Sequence, residues 1–164
     1  MKDMFSVVLA THNEEKNLAK CLESIKNLAD EIIVVDGEPT DQTIEIAKTF
    51  GAQVFSTTNK KNFHINKQMA MDKAKGDLIL QLDADELVDV ELKKFIQKLL
   101  SSLEKKEKLA AVAWWIKRKN FFCNRWLSKG GQYPDPVIRL YLKGKAHLPA
   151  KDVHEQMQVD GQTA

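Results

Sequence analysis

Apolar and polar residues come in blocks along this chain, and the blocks differ in period. Residues 5–10 are an almost unbroken apolar run, as expected of a strand covered on both faces. Leu18, Cys21, Leu22 and Ile25 then recur at helical spacing, with Lys16, Lys20 and Lys26 between them. Between the two blocks lies Thr11-His12-Asn13-Glu14-Glu15, where Asn13 suits a helix N-cap and the glutamates suit a first turn. A second strand is predicted over 31–35, and a helix carrying Ile44, Ala47 and Phe50 ends at Gly51. A short strand follows over 53–56. A helix over 64–75 turns Ile65, Met69 and Ala70 inward and closes at Gly76. Leu78 to Leu82 is an apolar run that stops at Asp83-Ala84-Asp85-Glu86. Asp89 caps a further helix with a stripe of Leu92, Phe95, Ile96, Leu99, Leu100 and Leu103. Strands over 109–116 and 137–141 complete the pattern.

Strands alternating with helices predict an α/β fold: a Rossmann-like, mostly parallel sheet with helices on both faces. In such sheets ligands bind beyond the carboxyl ends of the strands. Three polar stretches fall at such ends, after residues 10, 35 and 82. From Lys117 the pattern breaks into cations mixed with aromatics, including Phe121, Phe122 and Trp126 beside Lys119 and Arg125. That stretch either meets an acceptor sugar or a membrane surface, or packs under the sheet edge.

Size and charge narrow the options. A chain of 164 residues fits a single domain over 1–164 and can bury about 70% of its unfolded surface. The net charge of +2 gives no electrostatic case for a nucleic-acid partner. Cys21 and Cys123 lie far apart, outside any CxxC pair, so neither a disulfide framework nor a zinc site is indicated. With no signal-like apolar leader and no spanning segment, a cytoplasmic location is the simplest expectation.

The acids after the fourth strand carry the most chemistry. Hard cations such as Mg²⁺ or Mn²⁺ take carboxylates together with substrate phosphates. An Asp-x-Asp is also often only a solvated turn. Asn13 either caps a helix or flanks a ligand, and Asp36 either steadies a turn or accepts a hydrogen bond from one. Lys67 either reaches a diphosphate as a point charge or stays solvated.

Three segments, read together, meet a known family. They are Val7-Val8-Leu9-Ala10-Thr11-His12-Asn13-Glu14-Glu15, Ile32-Ile33-Val34-Val35-Asp36-Gly37 with Thr40-Asp41-Gln42-Thr43, and Ala74-Lys75-Gly76-Asp77 through Asp83-Ala84-Asp85-Glu86. In this order and spacing they resemble the family 2 glycosyltransferases of GT-A fold. The tail, with Tyr133-Pro134-Asp135, Ile138-Arg139-Leu140-Tyr141 and Val153-His154-Glu155, is similar to the subgroup that adds sugars to lipopolysaccharide core.

The resemblance implies transfer of a sugar, with inversion, from a nucleotide-sugar, usually a UDP-sugar, to an acceptor hydroxyl on a glycan or glycolipid. It implies a divalent cation held by Asp85, with His154 as a further ligand, and Asp83 facing ribose or donor sugar. Thr11, Asn13 and Glu14 correspond to residues flanking the base and ribose, and Asp36 to the acceptor of the uracil N–H. Glu155 and Asp135 are the two candidates for the base, with Glu155 ranked first. It further implies a nucleotide-sugar half over 1–90 and an acceptor-side half over 109–164, complete or truncated, and the aromatic stretch leaves open a contact with the inner face of a membrane.

Two departures stand against the family pattern. Glu38-Pro39 replaces the small residues of the turn after Asp36-Gly37 and removes an amide donor. The chain is also short for such an enzyme. Competing readings are a truncated or inactive nucleotide-binding module, a nucleotidyltransferase, and a phosphatase with an Asp-x-Asp nucleophile. The nucleotidyltransferase reading wants a glycine-rich basic first loop, and the phosphatase reading wants its aspartates after the first strand.

Overall fold

The computed structural model describes residues 4–60, 62–123, 125–129, 133–149 and 156–164. Its main sheet is built from β1 (Phe5–Thr11), β2 (Glu31–Gly37), β3 (Gln53–Thr57), β4 (Leu78–Leu82), β5 (Ala113–Arg118) and β8 (Asp135–Leu142). Between β5 and β8 lies a two-stranded hairpin of β6 (Phe121–Phe122) and β7 (Arg125–Trp126), and β9 (Ala146–His147) pairs with β10 (Gln158–Val159). The helices are α1 (Leu18–Ser24), α2 (Thr43–Thr49), α3 (Phe63–Lys73) and α4 (Val90–Glu104).

The strand order is β3-β2-β1-β4-β8-β5. The first four strands run parallel, while β8 is antiparallel to both β4 and β5. Alternate residues of the buried strands feed two cores. Phe5, Val7 and Leu9 pack with Leu18 and Leu22 of α1, Ile25 just after it, Ala47 of α2 and Ile96 and Leu99 of α4. Val8, Ile33 and Val35 pack on the other face with Ala70 and Met71 of α3. Strands without a polar face need cover on both sides, which explains the continuous apolar runs.

The chain steps outward from β1 to β3, then returns over the other face through α3 to place β4 beside β1. Right-handed crossovers put helices on opposite faces when the direction of winding reverses. The reversal lies between β1 and β4, so the crevice for a ligand opens where Thr11 and Asp83 end their strands.

Several sequence expectations shift. The first helix begins at Leu18, and Asn13 does not cap it: its backbone is left-handed, with φ 55°. The inner face of α3 is polar as well as apolar. His64 and Asn66 are buried while Ile65 is exposed, because the helix start packs on loops rather than on the sheet. Gly76 follows that helix for a different reason than a helix stop. A Cβ there would lie 2.5 Å from Ser6 Oγ and 2.7 Å from Met4 O, so only glycine lets the strand pass. The fifth strand starts at Ala113, later than residue 109. Asp89 does cap α4, its carboxylate accepting the Leu92 amide at 2.9 Å.

Candidate active site

Two clusters line the carboxyl rim of the sheet. The first joins the ends of β1 and β2. Thr11 and Asp36 are neighbours in register, and Thr11 Oγ1 donates to Asp36 Oδ2 at 2.5 Å. Asp36 is fully buried, and its Oδ1 has no hydrogen-bond partner. Burial pushes the Asp36 carboxyl above its ordinary range, against the opposing pull of the Thr11 hydrogen bond and the nearby His12.

Around this pair the two loops are laced together. Asn13 Oδ1 accepts the Thr40 amide at 2.8 Å, the Glu14 amide donates to Thr43 Oγ1 at 2.8 Å, and the Glu15 amide donates to Asp41 Oδ2 at 3.1 Å. The Glu38-Pro39 turn offers few free donors. The Glu38 amide bonds Thr57 O at 3.0 Å and the Thr40 amide is taken by Asn13. A Cβ on Gly37 would lie 3.0 Å from Asn66 Nδ2 and from Asn59 Cα, so α3 presses directly on this turn.

The second cluster follows β4. Asp83 Oδ1 lies 2.5 Å from Lys67 Nζ and accepts from Gln81 Nε2 at 3.2 Å, while Asp83 Oδ2 accepts from Arg139 Nη2 at 2.6 Å. Arg139 also donates to Gln81 Oε1 and, at 3.1 Å, to Glu86 Oε1. Glu86 Oε2 accepts the Asp83 amide at 2.9 Å, and the Glu86 amide returns a bond to Asp83 O at 3.0 Å. Arg118 reaches Asp135 Oδ2 at 2.7 Å and stands 3.9 Å from Glu86. Asn120 Nδ2 donates to the same Asp135 oxygen at 2.9 Å.

The charges set the proton affinities. Burial alone would raise Asp83, but Arg139 and Lys67 outweigh it and bring the carboxyl down to about 2. Glu86 goes the other way, because burial exceeds the help from Arg139. Burial also lowers Lys67, although Asp83 partly restores it. Asp135 is held below its ordinary value by the Asn120 hydrogen bond and by Arg118, which keeps it ionised and makes it a weaker proton acceptor.

A cavity of about 340 Å³ opens beside this second cluster, walled by Lys67, Asp83, Arg118, Asp135, Arg139 and the ring of Phe63, among others. Thr11, Asp36 and Asp85 are not among its walls. Asp85 sits exposed on the turn, with no hydrogen bond or ion pair among the described residues. Glu14 lies at the loop edge, where its Oε2 accepts from Asn17 Nδ2 at 3.0 Å.

Of the residues singled out from the sequence, the fold brings Thr11, Asn13, Glu14 and Asp36 to one cluster and Lys67, Asp83 and Asp135 to the other. His154 and Glu155 lie outside the described residues. Among the described residues no three His, Cys, Asp or Glu side chains gather as a ready-made metal site. Glu86 and Arg118 escaped the sequence reading. The run of acids was a signal for Glu86, but nothing local marks Arg118 as its neighbour.

Residues 6–158 match the model of the glycosyl transferase family 2. The chain belongs to that family. The family's lipopolysaccharide core biosynthesis glycosyltransferase LpsC of Rhizobium meliloti is 26% identical over 154 residues, which is 91% of this chain and 55% of LpsC. A Rickettsia typhi protein named only as an uncharacterized glycosyltransferase is 39% identical over 97 residues, 59% of this chain and 33% of that protein. The chain thus spans between a third and about half of these relatives. Among solved structures, residues 1–349 of S. aureus TarS superpose with a TM-score of 0.61 at 23% identity, covering 78% of this chain and 37% of that fragment. The M. tuberculosis glucosyl-3-phosphoglycerate synthase gives 0.52 at 26% identity, covering 68% and 44%. The family's GT-A fold is therefore the fold of this chain. Among its described residues no helix is long and apolar enough to cross a membrane.

Proposed function

We propose that this chain is the catalytic domain of an inverting, metal-dependent glycosyltransferase. It moves a sugar from a UDP-sugar to an acceptor hydroxyl on a cell-envelope glycan, of which lipopolysaccharide is the leading candidate. The observation that carries this reading is the partition of charge at the β4 turn. Asp83 is neutralised by two cations, while Asp85 keeps its carboxylate exposed and unpaired among the described residues. A hard cation bound through one or two carboxylates plus substrate phosphates asks for such an arrangement, and an all-oxygen donor suits Mg²⁺ or Mn²⁺. Asp85 would hold the ion, with His154 as a further ligand. The ion supplies Lewis-acid stabilisation of the departing diphosphate.

The remaining roles belong to the chain's own groups. Asp36, buried and short of one partner, fits an acceptor for an imide N–H, with Thr11 steadying it and Asn13 and Glu14 flanking the ribose. Lys67 stands as a second positive charge for the diphosphate, released from Asp83 when phosphate arrives. The cavity beside Asp83 and Asp135 receives the sugars. Asp135 and Glu155 are the carboxylates available to take the acceptor proton. Residues 1–90 form the nucleotide-sugar half and 109–164 the acceptor half of one domain. Solved relatives of this fold bind UDP, as in TarS and the M. tuberculosis synthase, and LpsC is named for lipopolysaccharide core. Phe121 and Trp126, exposed on the β6–β7 hairpin beside Arg125, suit a peripheral membrane contact near a glycolipid acceptor.

Release of sugar from a panel of UDP-sugars, with and without added Mn²⁺, tests this. Mn²⁺-dependent release from one donor supports the reading. Tight UDP binding with no sugar released from any donor would favour a nucleotide-binding module instead.

A further inference from the structure

Glu86 divides its two oxygens between two parts of the site. Its Oε2 accepts the Asp83 amide at 2.9 Å, so it fixes the backbone of the turn that carries Asp85. Its Oε1 accepts from Arg139 at 3.1 Å, so it also holds the guanidinium of β8, and it faces Arg118 of β5 at 3.9 Å. The reciprocal bond from its own amide to Asp83 O closes the turn. Only 21% of its side chain is exposed, so these contacts are poorly screened.

The surrounding charges show what this does. Lys67, Arg118 and Arg139 are matched by Asp83, Glu86 and Asp135, and each acid has a cation partner. Asp85 is the acid of this turn left over. Without Glu86, Arg139 would lose an acceptor, Arg118 would lose a nearby negative charge, and the Asp83 amide would lose its cap. The Asp83 amide and carbonyl that Glu86 now holds would be free to move, and Asp85 with them. The turn would then lose the fixed carboxylate that a cation requires.

We propose that Glu86 is a positioning residue: tied to Arg139, it holds the backbone of the Asp83–Asp85 turn so that Asp85 stays presented to a divalent cation. This rests on the cation-dependent reading of the site given above. Partners of this kind, one shell out from a metal, change metal affinity by about 10- to 100-fold when removed.

The test uses the whole chain, with Mn²⁺ and UDP as probes. Free Mn²⁺ is followed by electron paramagnetic resonance during titration at saturating UDP, and metal-free UDP affinity is measured by calorimetry. Glu86→Ala is expected to weaken Mn²⁺ binding by about tenfold or more, with metal-free UDP affinity kept within about twofold of wild type. Glu86→Gln, which keeps one oxygen acceptor and the side-chain shape, is expected to fall between the two and guards against misfolding of the alanine variant. Unchanged Mn²⁺ affinity in both variants would overturn the inference while leaving the cation reading intact. An equal loss of metal-free UDP binding would also overturn it, since that marks a general structural role. Absence of any Mn²⁺ effect on UDP binding in the wild-type protein would remove the reading on which it rests.

Discussion

Asp36 and Asp83 end the two strands that flank β1, and the fold treats them in opposite ways. Asp36 is held by a neutral hydroxyl, keeps one oxygen without a partner, and has its carboxyl pushed up by burial. Asp83 is gripped by Lys67 and Arg139 and is brought down to about 2. One is a buried acceptor short of a donor. The other is the centre of a neutralised cluster, with both oxygens bonded to cations. A buried acid short of a donor has an oxygen left for an N–H, whereas an acid already paired with cations organises them; on the proposed reading this leaves its neighbour, Asp85, for the ion.

Removing a cation from the second region should break the contrast most severely. Arg139→Ala leaves Asp83 and Glu86 short of their shared partner, and stability should fall by about 3 kcal/mol or more. That corresponds to a melting temperature lower by about 10 °C for a chain of this size, which differential scanning calorimetry would detect. A loss below about 1 kcal/mol would mean that solvent screens this cluster far more than its burial implies.

Asp83→Asn should cost about 2 kcal/mol at neutral pH by urea unfolding. The sign follows from the lowered carboxyl. Its contribution is complete above the unfolded value of 3.8 and is lost as pH falls through about 2. The wild-type protein should therefore lose stability down this acid range more steeply than the variant. Parallel acid profiles would remove Asp83 as the centre of the cluster.

Asp36→Asn should behave in the opposite sense. The folded carboxyl is harder to ionise than the unfolded one, so its charge costs stability once pH exceeds the unfolded value. The amide removes that cost, and stability should stay level or rise within about 1 kcal/mol. UDP affinity should still drop if Asp36 is the acceptor proposed for the base. A variant that is both less stable and unchanged in UDP affinity would recast Asp36 as a purely structural acid.

Phe121→Ala should alter stability by less than about 0.5 kcal/mol, since its ring is largely exposed, and Trp126→Ala by about 1 kcal/mol, since its half-buried ring meets Tyr133 edge-on at 5.2 Å. Co-sedimentation with anionic vesicles should weaken for both. Unaltered sedimentation would take the hairpin out of any membrane contact.

Much of the first region was legible in the sequence. Apolar runs ending in polar turns placed Thr11, Asp36 and Asp83 at strand ends, because strands buried on both faces have no polar side to blur the signal. Of the two readings open for Asn13, the structure excludes the helix cap. Its residue type suits a cap and a left-handed turn equally, and only the approach of Thr40, 27 residues away, selects the turn. The second region was largely hidden. Arg139 meets Asp83 and Glu86 across 56 and 53 residues, and Arg118 reaches Asp135 from an antiparallel neighbour. Residue spacing carries no record of such pairs. The polar inner face of α3 was missed for a related reason: His64 and Asn66 answer to Pro149 and Thr58 in neighbouring loops, not to a helical period.

Calorimetric titration of UDP with and without Mn²⁺, on wild-type protein and on Asp85→Ala, goes straight to the role of the exposed carboxylate. Wild type should bind UDP about tenfold or more tightly when Mn²⁺ is present, and Asp85→Ala should bind it equally with and without the ion. An undiminished Mn²⁺ enhancement in Asp85→Ala would contradict the account.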